Sequence, residues 1–247
     1  MLKGFWKLTW VETKVFMREP MGVVSTLGIP VLVFVVLGRM LNVGGAEGAA
    51  AAQPPFNVPI LAALVIAVGA VISLVAIISI YREGGILKRL RATPLSPVTI
   101  LGAHVFVKLA FTVVSLGLLV LAGRQFFPGA MNVNLLSFAA ALLIGTLSIL
   151  SLGFVIVSVV PTARFAQPIG AGFLYPMIAV SGLFFPIEQL PTPLYVVAQG
   201  LPTTHAVALM QGIWDGSGWG AHWMNVVALV AVFAVCTGLS TKVFRWE

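Results

Sequence analysis

Few side chains in this sequence could carry covalent chemistry. The three histidines, His104, His205 and His222, are too scattered to suggest a zinc site, and no H-E-x-x-H occurs. Asp215 is the one aspartate, which excludes a paired-aspartate intramembrane protease within one chain. Ser181-Gly182 with His205 is the only serine–histidine arrangement that an intramembrane enzyme could use, and no oxyanion motif surrounds it. His205, following Pro202-Thr203-Thr204, reads as an interfacial polar residue. No G-x-x-x-x-G-K-[ST] loop exists, so the chain does not bind ATP by that device. Cys236 is the single cysteine, sits in an apolar run and reads as a small core residue. The acids fall in loops, ends or interfacial stretches, so a buried carboxylate chain for proton-driven transport is not expected. The chemistry that remains is electrostatic. It is densest at Tyr81–Pro97, where Arg82, Lys88, Arg89 and Arg91 surround the lone acid Glu83.

The elements that must hold these groups follow from composition. Of 247 residues, 60% are hydrophobic and 9% charged. Soluble domains run near 45–50% apolar and about 25% charged. The mean hydropathy of +1.07 agrees. A soluble globule lacks the charge to cover itself here, and a disordered chain would be charge-rich and apolar-poor. The class left is an integral membrane protein built of about 20-residue helices. The net charge of +7 is better explained by the positive-inside rule than by nucleic acid. The start, Met1-Leu2-Lys3-Gly4-Phe5-Trp6-Lys7, does not read as a cleavable signal peptide.

In residues 1–19, Lys3, Lys7, Lys14 and Arg18 fall on one narrow helical stripe, flanked by Trp6 and Trp10. Phe5, Leu8, Val15 and Phe16 lie away from it. This predicts a helix lying in the membrane surface. Glu12 and Glu19 fall on the apolar side and need a water-facing or protein partner. Spans are expected at about Met21–Leu41, kinked at Pro30, and at Val58–Ile80, Ile100–Ala122, within 135–160, at Ile169–Phe185, broken by Tyr175-Pro176, and at Trp223–Ser240. Lys108 lies inside the third span and is expected to snorkel toward the basic loop. Residues 86–91 put Ile86, Leu87 and Leu90 on one helical face and Lys88, Arg89 and Arg91 on the other, a short amphipathic helix ended by Pro94. Residues 186–218 are apolar but hold Pro186, Pro191, Pro193 and Pro202. They read as two short helices that dip in and return, reversing near Pro202.

Six spans with an inside N-terminus place Lys3, Lys7, Lys14, Arg18, Arg82, Lys88, Arg89, Arg91, Arg164, Lys242 and Arg245 inside. Only Arg39 and Arg124 fall outside, which favours both ends in the cytoplasm. A seventh full span would weaken that asymmetry.

The stretch Arg82-Glu83-Gly84-Gly85-Ile86-Leu87-Lys88-Arg89-Leu90-Arg91-Ala92-Thr93-Pro94-Leu95-Ser96-Pro97 resembles the cytoplasmic loop of ATP-binding-cassette (ABC) type-2 exporter permeases. A second match lies at Ser181-Gly182-Leu183-Phe184-Phe185-Pro186-Ile187-Glu188-Gln189-Leu190-Pro191, followed by Pro202-Thr203-Thr204-His205 and Met210-Gln211-Gly212-Ile213-Trp214. The resemblance, with the matching topology, extends over almost the whole chain and looks closest to the drug- and antibiotic-export branch. The resemblance implies an all-α integral membrane fold: one permease domain over 1–247, six transmembrane helices, an N-terminal interfacial helix at 1–19, a cytoplasmic coupling helix within 81–97 and an outer re-entrant hairpin at 186–218. It implies a multi-pass subunit of the bacterial plasma membrane that is not itself an enzyme. The implied partners are a separate ABC ATPase carrying ATP and Mg, a second permease copy as a homodimer, and membrane lipids. No cofactor is expected on this chain, and no nucleic acid. Coupling to the ATPase would fall to Arg82, Glu83, Gly84, Gly85, Leu87, Lys88, Leu90 and Arg91. A pathway or gate would involve Ser73, Ile77, Tyr175, Met177, Phe184 and Phe185. The expected cargo is a hydrophobic or amphiphilic small molecule, with a polysaccharide or lipid-linked glycan as the alternative.

Overall fold

The structure is a computed structural model, and it describes residues 2–18, 20–42, 58–85, 97–126, 134–159 and 163–243. All regular elements among these residues are helical. They are α1 (Leu2–Arg18), α2 (Pro20–Val23), a π-turn (Val24–Gly28), α3 (Ile29–Asn42), α4 (Val58–Glu83), α5 (Pro97–Phe126), α6 (Leu135–Val159) and α7 (Ala163–Ala179). A 3₁₀ turn (Ile187–Gln189) then leads to α8 (Thr192–Gln199), α9 (Pro202–Trp214), α10 (Gly218–Ala221) and α11 (Trp223–Val243).

Among the described residues, four helices contain segments long and apolar enough to cross a bilayer: Ile60–Tyr81, Gly102–Phe126, Leu135–Ser158 and Trp223–Ser240. Thr26–Met40 and Pro168–Ala179 are shorter apolar helices. This is a multi-pass membrane protein. In lipid an apolar side chain loses nothing by facing outward, so packing is led by close approach and polar contacts. Burial follows that logic. The most apolar window of α4 is 67% buried, whereas that of α11 is 17% buried. The apolar face of Met224, Val227, Val230 and Leu239 accordingly points away from the protein.

The core is α4 against α6, with α7, α9 and α11 around them. Gly153 sets the α4–α6 approach, because a Cβ there would lie 2.8 Å from Val71 Cγ1. Gly145 does the same for α9, since its Cβ would lie 3.0 Å from that of Ala206. Hydroxyls add cross-links. Ser148 Oγ donates to the Leu229 carbonyl at 3.0 Å, and Ser158 and Ser240 hydroxyls sit 3.3 Å apart. Thr203 Oγ1 on α9 donates to the Met177 carbonyl at 3.0 Å, near the end of α7 where carbonyls lose their helical partners.

Pro30 does not break the first run. The chain stays helical from Pro20 to Asn42, loosened into a π-turn just before the proline. A proline removes one N–H and crowds the carbonyl four residues back, and the wider turn relieves that crowding. The freed carbonyl is that of Thr26, and Ser115 Oγ of α5 donates to it at 3.0 Å.

The fifth apolar helix differs from the expected Ile169–Phe185. It begins earlier, at Ala163, and ends at Ala179. Ser181 turns both its N–H and its hydroxyl back to the Ile178 carbonyl, at 3.1 and 2.7 Å. Gly182 then takes a positive φ of 84° within the turn that follows the helix, a conformation that suits glycine. Beyond it, two short helices meet at Gly200-Leu201, with Pro202 opening the second. Leu201 is extended, as the residue before a proline prefers.

Candidate functional site

The basic segment begins where α4 stops. Gly84 N–H still bonds the Ile80 carbonyl at 2.9 Å, and Gly85 has φ +65°. A glycine in the left-handed region is a common helix terminator. Glu83 is exposed on the last turn. Residues 86–96 lie outside the described residues, so the expected coupling helix, with Leu87, Lys88, Leu90 and Arg91, falls there. Arg82 is on α4, but its side chain is outside the description too.

Just behind this segment lies a buried polar cluster. Tyr81 Oη, one residue before Arg82, donates to Glu12 Oε1 of α1 at 3.0 Å. The other Glu12 oxygen lies 3.3 Å from His104 Nδ1 on α5. The Tyr81 and His104 rings meet edge-on, 5.5 Å apart. One helical turn along α5, Lys108 Nζ donates to Ser73 Oγ of α4 at 2.5 Å. The same ammonium sits 4.6 Å from the centre of the Phe16 ring, a cation–π geometry. Glu12, His104 and Lys108 are each at most 6% exposed. Lys108 therefore does not snorkel. Its stem turns inward because Ser73 and Phe16 receive the charge there. Glu12 finds the protein partner that its place on the apolar side of α1 demanded.

The consequence is mechanical. Glu12 and Phe16 pin α1 onto α4 and α5, and Phe5 and Trp6 pack edge-on against Phe106 of α5 at 5.9 and 5.7 Å. Trp10, Lys14 and Arg18 face outward, Lys14 lying over the Trp10 ring at 5.4 Å. The cluster encloses about 20 Å³, lined by Ser73, Ile77, Glu12, His104 and Lys108 among others. That is room for about one water, too little for a cargo.

A second, larger cavity of about 800 Å³ lies between α6, α7, α11 and the α8–α9 corner. Its lining is aliphatic apart from Phe173 and Cys236, with Leu152, Ile156, Ile169, Met177, Leu201 and Val232 prominent. That volume lies in the range of small-molecule sites. Of the expected pathway residues, Met177 lines this cavity, while Ser73 and Ile77 line the small polar one instead. Tyr175 and Phe185 are exposed, and Phe184 packs partly buried against the core.

Ser181 and His205 do not form a catalytic pair. The Ser181 hydroxyl is held by Ile178, and the His205 ring nitrogens face Asn225 and the Gln199 carbonyl. The Glu12–Tyr81–His104 contacts span the sequence too widely for local reading. The i, i+4 spacing of His104 and Lys108 was the available signal, since it puts both on one face of a membrane helix.

The model of the ABC-2 type transporter family matches residues 3–214, nearly the whole chain. The protein therefore belongs to the ABC-2 type transporters, as a membrane subunit of an ABC transporter. Membership implies association with an ABC ATPase. No curated protein matches the chain.

Proposed function

We propose that this chain is the transmembrane permease subunit of an ATP-driven exporter that moves a hydrophobic or amphiphilic small molecule out across the bacterial plasma membrane. The chain acts as one permease domain over 1–247. It crosses the bilayer six times, with Thr26–Met40 and Pro168–Ala179 inside the first and fifth crossings. At 1.5 Å per residue, the helical run Pro20–Asn42 reaches about 34 Å and α7 about 26 Å. Both ends face the cytoplasm, where the basic residues concentrate. The α8–α9 corner is the outer hairpin.

A separate ATPase docks on the segment Arg82–Arg91. It draws this segment toward that of a second permease copy and rocks the paired subunits. The Glu12–Tyr81 contact carries this pull into α1. The chain itself performs no catalysis, and ATP and Mg reside on the partner.

The observation that supports the cargo class is the 800 Å³ cavity with its aliphatic lining. It suits an alkyl or fused-ring body. A glycan would call for stacking aromatics, and Phe173 is the one aromatic among those lining residues. The test is co-purification with the ATPase from the adjacent gene, followed by ATP hydrolysis in proteoliposomes. Hydrophobic cargo should stimulate hydrolysis. Failure of any ATPase to bind overturns the proposal.

A further inference from the structure

We propose that the outward face of α1 binds the headgroups of anionic phospholipids, so that the lipid surface holds the helix whose inner face grips the end of α4. The helix is two-faced. At about 100° per residue, Lys7, Lys14 and Arg18 fall within about 40° of one another, and all three are exposed. Thr9, Glu12 and Phe16 lie nearly opposite and are buried. Trp6, Trp10 and Met17 stand along one flank, about a quarter-turn from the basic stripe, and each is more than half exposed.

The division sorts the charge. Glu12 is the one acid of α1, and it turns inward to Tyr81 and His104. The outward face is left with cations alone. Among the described residues, no carboxylate pairs with Lys7, Lys14 or Arg18. Such a stripe complements a layer of phosphates, which lysine meets as a point charge and arginine through a fork of N–H groups.

The flank points to lipid as the source of those phosphates. Tryptophan settles where hydrocarbon meets headgroups. A helix lying in that plane sets its aromatic edge into the acyl boundary, while the basic residues beside it reach the phosphates. The exposed Trp10 ring has the Lys14 ammonium 5.4 Å from its centre, which keeps ring and charge together at one boundary. Trp6 packs edge-on against Phe106 at 5.7 Å, so the aromatic flank is braced on α5.

The inner contacts give this surface its consequence. Glu12 accepts from Tyr81, the residue before Arg82, and Phe16 lies against Lys108 of α5. Lipid that holds the outer face of α1 thereby steadies the last turn of α4 and the first half of α5. The proposal does not depend on the transport reading, because lipid binding needs no ATPase.

The test reconstitutes the full chain in nanodiscs of mixed phosphatidylglycerol and phosphatidylcholine. In one series the first lipid is brominated high on its acyl chains, in another the second. The quenching lost in Trp10→Phe isolates Trp10 among the six tryptophans. A basic residue near an anionic surface raises affinity about fivefold. The relative association constant at Trp10 should therefore favour phosphatidylglycerol at least fivefold. It should approach one in the combined Lys7→Gln, Lys14→Gln, Arg18→Gln variant. Raising NaCl from 0.1 to 1 M should also shrink it in the unaltered chain, since screening tightens from about 10 to 3 Å. A preference below twofold in the unaltered chain overturns the proposal, as does one that the triple variant or high salt leaves undiminished. Trp10 quenched by neither lipid also overturns it, and shows that protein covers this face.

Discussion

The Tyr81 hydroxyl and the Glu12 carboxylate meet at 3.0 Å, joining residues 69 positions apart. One belongs to the turn that ends at the basic segment, the other to a helix whose Trp10, Lys14 and Arg18 face outward. Removing the phenol hydroxyl leaves the buried carboxylate short of a donor. Tyr81→Phe should therefore lower Tm by about 2–4 °C, corresponding to roughly 1 kcal/mol. Glu12→Ala, which leaves the His104 Nδ1 and Tyr81 Oη contacts unmade, should cost about 1–3 kcal/mol. Thermal unfolding of the detergent-purified chain checks both.

Much of the helical plan was legible because apolar runs and prolines act locally. Pro202 marked the start of the second of two short helices, and α4, α6 and α11 begin where the hydropathy changes. The end of α7 was not legible, because it depends on Ser181 folding back on Ile178 rather than on Pro176. The inward turn of Lys108 was hidden for another reason. A lysine near a basic loop can reach either way, and the choice here was made by Ser73 and Phe16, which lie on other helices.

Ser115 and Pro30 are coupled through the Thr26 carbonyl. With the proline present, that carbonyl lacks the N–H four residues on, and the Ser115 hydroxyl donates to it. Ser115→Ala should cost about 1 kcal/mol. In a Pro30→Ala background the helix supplies its own donor, so the same change should cost less than half as much. A double-mutant cycle by thermal unfolding measures the difference. Equal costs in both backgrounds would show that the two residues act independently.

Gly153 holds α4 and α6 at their closest approach. A valine there must push against Val71, whose Cγ1 would lie 2.8 Å from the new Cβ. Gly153→Val should destabilise by about 1–3 kcal/mol through overpacking. Val71→Ala makes room and should recover part of that loss. Tm of the single and double variants decides it, and a double variant no better than Gly153→Val removes the packing account.

Residues 83–91 carry the proposed coupling role. Glu83 is exposed on the last turn of α4, so Glu83→Ala leaves the core intact and removes the lone acid among the basic residues. Under the proposed coupling role, Leu87→Asp puts a charge among Ile86, Leu87 and Leu90, which the sequence spacing expects to share one apolar helical face. Burying an unpaired carboxylate costs several kcal/mol, enough to weaken docking at least 100-fold. Both variants should insert and run as the wild type by size-exclusion chromatography. Basal hydrolysis by the isolated ATPase should be unchanged. Cargo export from proteoliposomes should fall at least tenfold in Leu87→Asp and measurably in Glu83→Ala. Wild-type export in both variants would show that the engine is connected elsewhere.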